Sequence, residues 1–61
     1  MTLGQILFFK NLDIGDRIWH TPSNTALIVT AIGETSFLAK YSSGTEVQIK
    51  SDEFDAFIII A

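Results

Sequence analysis

Few side chains in this sequence could move a proton, hold a metal or attack a carbonyl, and their spacing serves none of these tasks well. His20 is the only histidine, and there is no cysteine. A general base needs an acid to orient it and a nucleophile within reach. No serine stands in a recognisable nucleophile motif, so His20 reads as a strand-end histidine beside a turn. Asp52, Glu53 and Asp55 invite a metal reading. A calcium loop needs alternating oxygen ligands, a central glycine and a closing glutamate. Phe54 interrupts these acids and no glycine follows, so they suit the positive end of a helical turn instead. Asp13 and Asp16 flank Gly15, where aspartate favours bonds to its own backbone. No second carboxylate pair completes a hydrolytic set. The expectation is a chain with no catalytic residues, no metal centre and no cofactor.

The elements that carry these residues must fit one small domain. Sixty-one residues bury only about 60% of the unfolded surface. Yet 48% of the residues are hydrophobic and the mean hydropathy is +0.35. Either the excess packs against a second copy, or it binds something else. The net charge is −3, from 7 acids and 4 bases. Phosphate backbones are bound by Lys and Arg, and Lys10, Arg17, Lys40 and Lys50 are scattered. Nucleic acid is therefore disfavoured as a partner. No apolar run approaches the roughly 18 to 20 residues of a membrane span. The apolar segment 3–9 has no basic residue before it and no cleavage site after it, so no signal peptide and no membrane partner are expected. The cytoplasm is the expected compartment.

Turn signals divide the rest into short strands. Residues 6–9 suit a strand or a short helix equally. Residues 17–20 read as a strand, and Thr21-Pro22-Ser23-Asn24 as a turn. Residues 25–32, rich in β-branched types, give the longest strand signal. Residues 36–41 and 45–49 form a hairpin around Ser42-Ser43-Gly44. Ser51-Asp52-Glu53-Phe54 suits one short helical turn capped by Ser51, with Phe54 anchored in the core. Residues 57–60 form the last strand. Its run Ile58-Ile59-Ile60 needs a partner, either the N-terminal segment or a second subunit.

Register decides which side chains face inward. A three-residue loop with Gly44 left-handed sets Lys40 opposite Glu46, Ala39 opposite Val47 and Phe37 opposite Ile49. One face is then apolar, the other carries a charge pair, and Leu38 points outward. Residues 26–32 are apolar at both parities, as in a strand covered on both faces. A turn on Pro22-Ser23-Asn24 sets Trp19 opposite Leu27 and Ile18 opposite Ile28. Trp19, Leu27, Val29 and Leu38 then form an outer patch. A four-residue loop sets Ile18 opposite Leu27 and reverses the assignment. The first register uses Pro22 and Asn24 as such turns require and is preferred. Trp19 suits either the end of the core or a binding hot spot.

Five short strands, a turn at Gly15-Asp16 and a helical turn before the last strand resemble the Src-homology-3-like (SH3-like) small barrels. The stretch Phe9-x-x-Leu12-x-x-Gly15-Asp16-x-Ile18 resembles the opening of many short barrel proteins of phages and bacteria. The resemblance spans residues 9–60 and implies an all-β, five-stranded SH3-like barrel. It also suggests the setting of a phage or mobile-element accessory protein acting on a host protein. Proline-rich peptide binding does not carry over, because the paired tyrosines and the acidic specificity loop are missing. Only Trp19 and Tyr41 are available for an aromatic cage, and they are expected on opposite faces.

The expected function is a non-catalytic protein-interaction module, homodimeric or part of a larger assembly. Trp19, Leu27, Val29 and Leu38 would bind the partner. The alternative is a nucleic-acid-binding barrel in which Arg17, Lys40 and Lys50 meet phosphates while Trp19 and Tyr41 stack on bases.

Overall fold

The computed structural model describes residues 1–60. Near the N-terminus, the Gln5 N–H donates to Thr2 Oγ1 (3.2 Å) and the Thr2 N–H donates to Gln5 Oε1 (2.8 Å). This reciprocal capping box satisfies two backbone donors that a helix start leaves without partners. It begins helix α1, Leu3–Lys10, so the segment that suited strand or helix is a helix. Asn11 ends it, with its N–H and its Nδ2 both donating to the Leu7 carbonyl.

Next, Asp13 and Asp16 build a tight turn. The Asp16 carboxylate accepts from the Asp13 N–H at 2.9 Å, and the Asp16 N–H donates to the Asp13 carbonyl at 3.1 Å. Gly15 sits between them at φ +94°, a conformation that side-chain-bearing residues avoid. The Gly15 N–H donates to the Val29 carbonyl, and the Val29 N–H donates to the Asp16 carbonyl. These two bonds tie the turn to the sheet.

The strands are β1 (Arg17–His20), β2 (Thr25–Ile32), β3 (Ser36–Tyr41), β4 (Glu46–Lys50) and β5 (Phe57–Ile59). They form one antiparallel sheet in the order β4-β3-β2-β1-β5. The protein is therefore mostly β, with five antiparallel strands, a short helix and a 3-10 turn. The expected closed barrel is not formed, because β4 and β5 are the two edges of this sheet. A 3-10 turn, Ser51–Ala56, carries the chain from one edge to the other. Its cap is not Ser51: Glu53 reaches back so that its Oε1 accepts from the Lys50 N–H at 3.3 Å.

The core lies between the inner sheet face, the 3-10 turn and α1. Ile18, Leu27, Val29, Phe37, Ile49 and Phe54 are sealed within it. Phe54 is the hub, with ring centroids 5.7 Å from Phe37, 5.5 Å from Phe8 and 5.2 Å from Phe9. Such aromatic pairs add specific geometry to a large buried area.

The β3–β4 hairpin has the expected register: Lys40 opposite Glu46, Ala39 opposite Val47 and Phe37 opposite Ile49. Gly44 is left-handed at φ +96°. The β1–β2 hairpin does not have the preferred register. Ile18 faces Leu27, Trp19 faces Ala26 and His20 faces Thr25, so the loop is the four residues 21–24. Asn24, at φ 51°, takes the left-handed position immediately before β2. The register thus moves by one residue, and alternate side chains exchange faces. The last strand pairs with β1, Trp19 opposite Ile58, rather than with the N-terminal segment, and its other side is an edge of the sheet.

Candidate docking face of the sheet

Of the four residues expected to bind a partner, two lie where no partner can reach. Leu27 and Val29 are each only 1% exposed. Their burial follows from the four-residue loop, which turns the odd-numbered positions of this part of β2 inward. Trp19 and Leu38 do lie on the outer face, both half-buried. The structure thus separates the expected quartet into two core residues and two flanking surface residues.

The outer face has a different centre. Arg17 lies opposite Ile28, Ile28 opposite Lys40, and Lys40 opposite Glu46, so these four make one row across β1, β2, β3 and β4. Ile28 is 41% exposed. Beside this row a groove of about 430 Å³ is lined by Arg17, Ala26, Ile28, Thr30, Lys40, Tyr41 and Ser42. Tyr41 lies opposite Leu27, packs against the core, and also reaches this groove. Trp19 stands beyond it, between Ala26 and Ile58, and Ile58 is 51% exposed. A bulge in β2 between Val29 and Ala31 re-aims the strand at Thr30. Thr30 Oγ1 donates to Glu46 Oε2 at 2.7 Å, which anchors that carboxylate at one side of the face.

Ile28 as the centre is not among the residues expected from the sequence; of the set named for nucleic acid, Arg17, Lys40 and Tyr41 line the groove, while Lys50 and Trp19 do not. The signal was present in the rival four-residue loop, which places Ile28 outside. Chemically, the groove offers apolar walls, two cations and the hydroxyl-bearing residues Thr30, Tyr41 and Ser42.

The remaining candidate residues do structural work. His20 Nδ1 is hydrogen-bonded to Ser23 Oγ, and Ser23 Oγ donates to Thr25 Oγ1 at 3.1 Å. The His20 ring lies 4.8 Å from that of Phe57. The set holds the β1–β2 turn closed, and among the described residues no carboxylate is bonded to His20. Asp55 Oδ2 accepts from Gln5 Nε2 at 3.2 Å, linking α1 to the 3-10 turn. Among the described residues, no group of three or more His, Asp or Glu is placed to hold a metal ion. No described helix is long and apolar enough to cross a membrane.

No protein-family model matches the chain, and no curated protein or solved structure matches it.

Proposed function

We propose that this protein is a non-catalytic interaction module that docks a protein partner on the outer face of β1, β2 and β3. The observation that carries this reading is the apolar groove around Ile28, flanked by Trp19 and Leu38 on a face that no other part of the described chain covers. Exposed hydrocarbon gathered around one groove, rather than scattered singly, supports a binding role. The sheet order, with a 3-10 turn before the last strand, supports an SH3-like kinship for the fold. In that reading β4 and β5 are the lips of an open barrel, and the docking face is its outer wall.

A photo-cross-linking experiment tests the proposal. A benzophenone amino acid replaces Ile28 in one sample and Gln48, also on the outer face but in edge strand β4, in another. In lysate from the source organism, position 28 should give one dominant protein adduct that position 48 does not. Equal labelling from both positions, or labelling of the chain only by bulk abundant proteins, overturns the reading.

A second reading has one specific observation in its favour. Arg17, Lys40 and Tyr41 line the same groove, which brings together two cations and an aromatic ring of the kind that single-stranded nucleic acid uses. Nuclease-sensitive adducts from position 28 would support it.

A further inference from the structure

We infer that the groove at Ile28 takes a short acidic–apolar peptide segment, in which a carboxylate lies beside an aliphatic side chain. This rests on the docking face proposed above and names the chemistry of its occupant. The chain carries a net charge of −3, yet two of its four Lys and Arg residues line this one groove. Arg17 and Lys40 are placed on either side of Ile28 in the same transverse row. Neighbouring strands lie about 4.8 Å apart, so the backbones of the two cations are roughly 10 Å apart with an isoleucine between them. An anionic group entering between them is attracted by both, while an aliphatic side chain next to it covers Ile28 and Ala26. Carboxylate pairing with Arg and Lys makes strong, charge-assisted hydrogen bonds.

The same row disfavours a second copy centred on Ile28. A two-fold axis that lies in the face, passes through Ile28 and runs along or across the strands sets cation against cation. Running along the strands, it places Arg17 against the Lys40 of the copy. Running across them, it places Arg17 against Arg17 and Lys40 against Lys40. A polyphosphate is also a poor fit, because the walls include Ala26 and Ile28 and among the described residues only two cations line the groove. Glu46 is the competing charge. It lies opposite Lys40, but its carboxylate is held by the Thr30 hydroxyl at 2.7 Å. An incoming carboxylate therefore meets two cations, Arg17 and Lys40, in the groove against one anion, Glu46, held beside the lining residue Thr30.

Fluorescence anisotropy tests the inference with three labelled probes. One is a heptapeptide that alternates aspartate and leucine between terminal glycines; the second has asparagine for each aspartate; the third is an oligothymidylate. The aspartyl peptide should bind at least about fivefold more tightly than the asparaginyl one, a difference of about 1 kcal/mol. Raising the salt from about 0.05 to about 0.5 M should erase that preference. Arg17→Gln and Lys40→Gln should each weaken the aspartyl peptide about threefold or more, and Glu46→Gln should strengthen it. All three substitutions are at exposed positions. Equal binding of both peptides would overturn the acidic preference and leave the apolar docking face standing. Binding of oligothymidylate alone would overturn the inference and the protein-docking reading together. If no probe binds, the inference fails, and the cross-links from position 28 still decide the proposed function independently.

Discussion

Leu27, Ile28 and Val29 are adjacent aliphatic residues with opposite fates. Leu27 and Val29 are 1% exposed, whereas Ile28 is 41% exposed. Nothing in their chemistry distinguishes them. The loop before β2 has four residues rather than three, and that single residue decides which of them builds the core and which faces a groove. The inner face is closed by aromatic rings from α1 and the 3-10 turn. The outer face has no such cover, and its cations stand around exposed hydrocarbon. In so small a domain, hydrocarbon on one face supplies stability and hydrocarbon on the other is free to serve recognition.

The widest expected gap between the two faces is in stability. Phe54→Ala removes the aromatic hub of the inner side and should cost about 3 to 5 kcal/mol. A chain of this length is stable by only about 3 to 9 kcal/mol in total, so much of that variant should be unfolded in water. Ile28→Ala should cost less than about 1 kcal/mol, because that side chain already meets solvent. Urea denaturation monitored by Trp19 fluorescence measures both. If Ile28→Ala were as damaging as Phe54→Ala, the outer face would be core under another name, and the docking reading would lose its basis.

A smaller effect, from the loop that sets the faces, sharpens the comparison. Asn24 is left-handed at φ 51°, where a β-branched residue is strained. Asn24→Val should cost about 1 to 3 kcal/mol, while Asn24→Gly should be close to neutral. Equal cost for the two would mean that backbone conformation at residue 24 does not hold the register.

The two hairpins also show what the sequence makes legible. In β3–β4 the pair Lys40 and Glu46 must lie on a wet face, and Gly44 marks the left-handed position, so only one register satisfies both. In β1–β2 the residues Ala26, Leu27, Ile28 and Val29 are apolar at both parities and give no preference for a face. Pro22 and Asn24 point to the three-residue loop, yet Asn24 is left-handed at the end of the four-residue loop that forms. The choice between registers comes from tertiary packing instead, as Leu27 and Val29 join Phe37 and Phe54 in the core. Strand positions and the anchoring of Phe54 are therefore readable, whereas the centre of the candidate docking face is not. The open edges were hidden for a related reason. Nothing local in β4 or β5 says whether two edge strands will meet or be bridged by a turn and a helix. The helix itself had a readable signal, Thr2 followed three residues later by Gln5, but the apolar run beside it suits either structure.

That capping pair yields the smallest prediction and bears on why the inner face stays closed. Gln5 acts twice: its Oε1 accepts from the Thr2 N–H, and its Nε2 donates to Asp55 Oδ2 in the 3-10 turn. Thr2→Ala removes the hydroxyl that accepts from the residue 5 N–H and leaves the Gln5 side chain in place. Gln5→Ala keeps that bond but removes the one back to the Thr2 N–H, together with the link to the turn. Thr2→Ala should cost about 0.5 to 1 kcal/mol. Gln5→Ala should cost no more than Thr2→Ala, since the two bonds it loses are exposed side-chain bonds that contribute little and alanine favours the helix. Hydrogen exchange of the α1 amides should accelerate more than that of β2 in both variants, because the helix lies over the core through Phe8 and Phe9 and can open without the sheet. Equal acceleration in α1 and β2 would show that helix and sheet open as one unit. The cover over Phe54 would then be part of the same cooperative core, and the contrast between a sealed face and an open one would rest on the sheet alone.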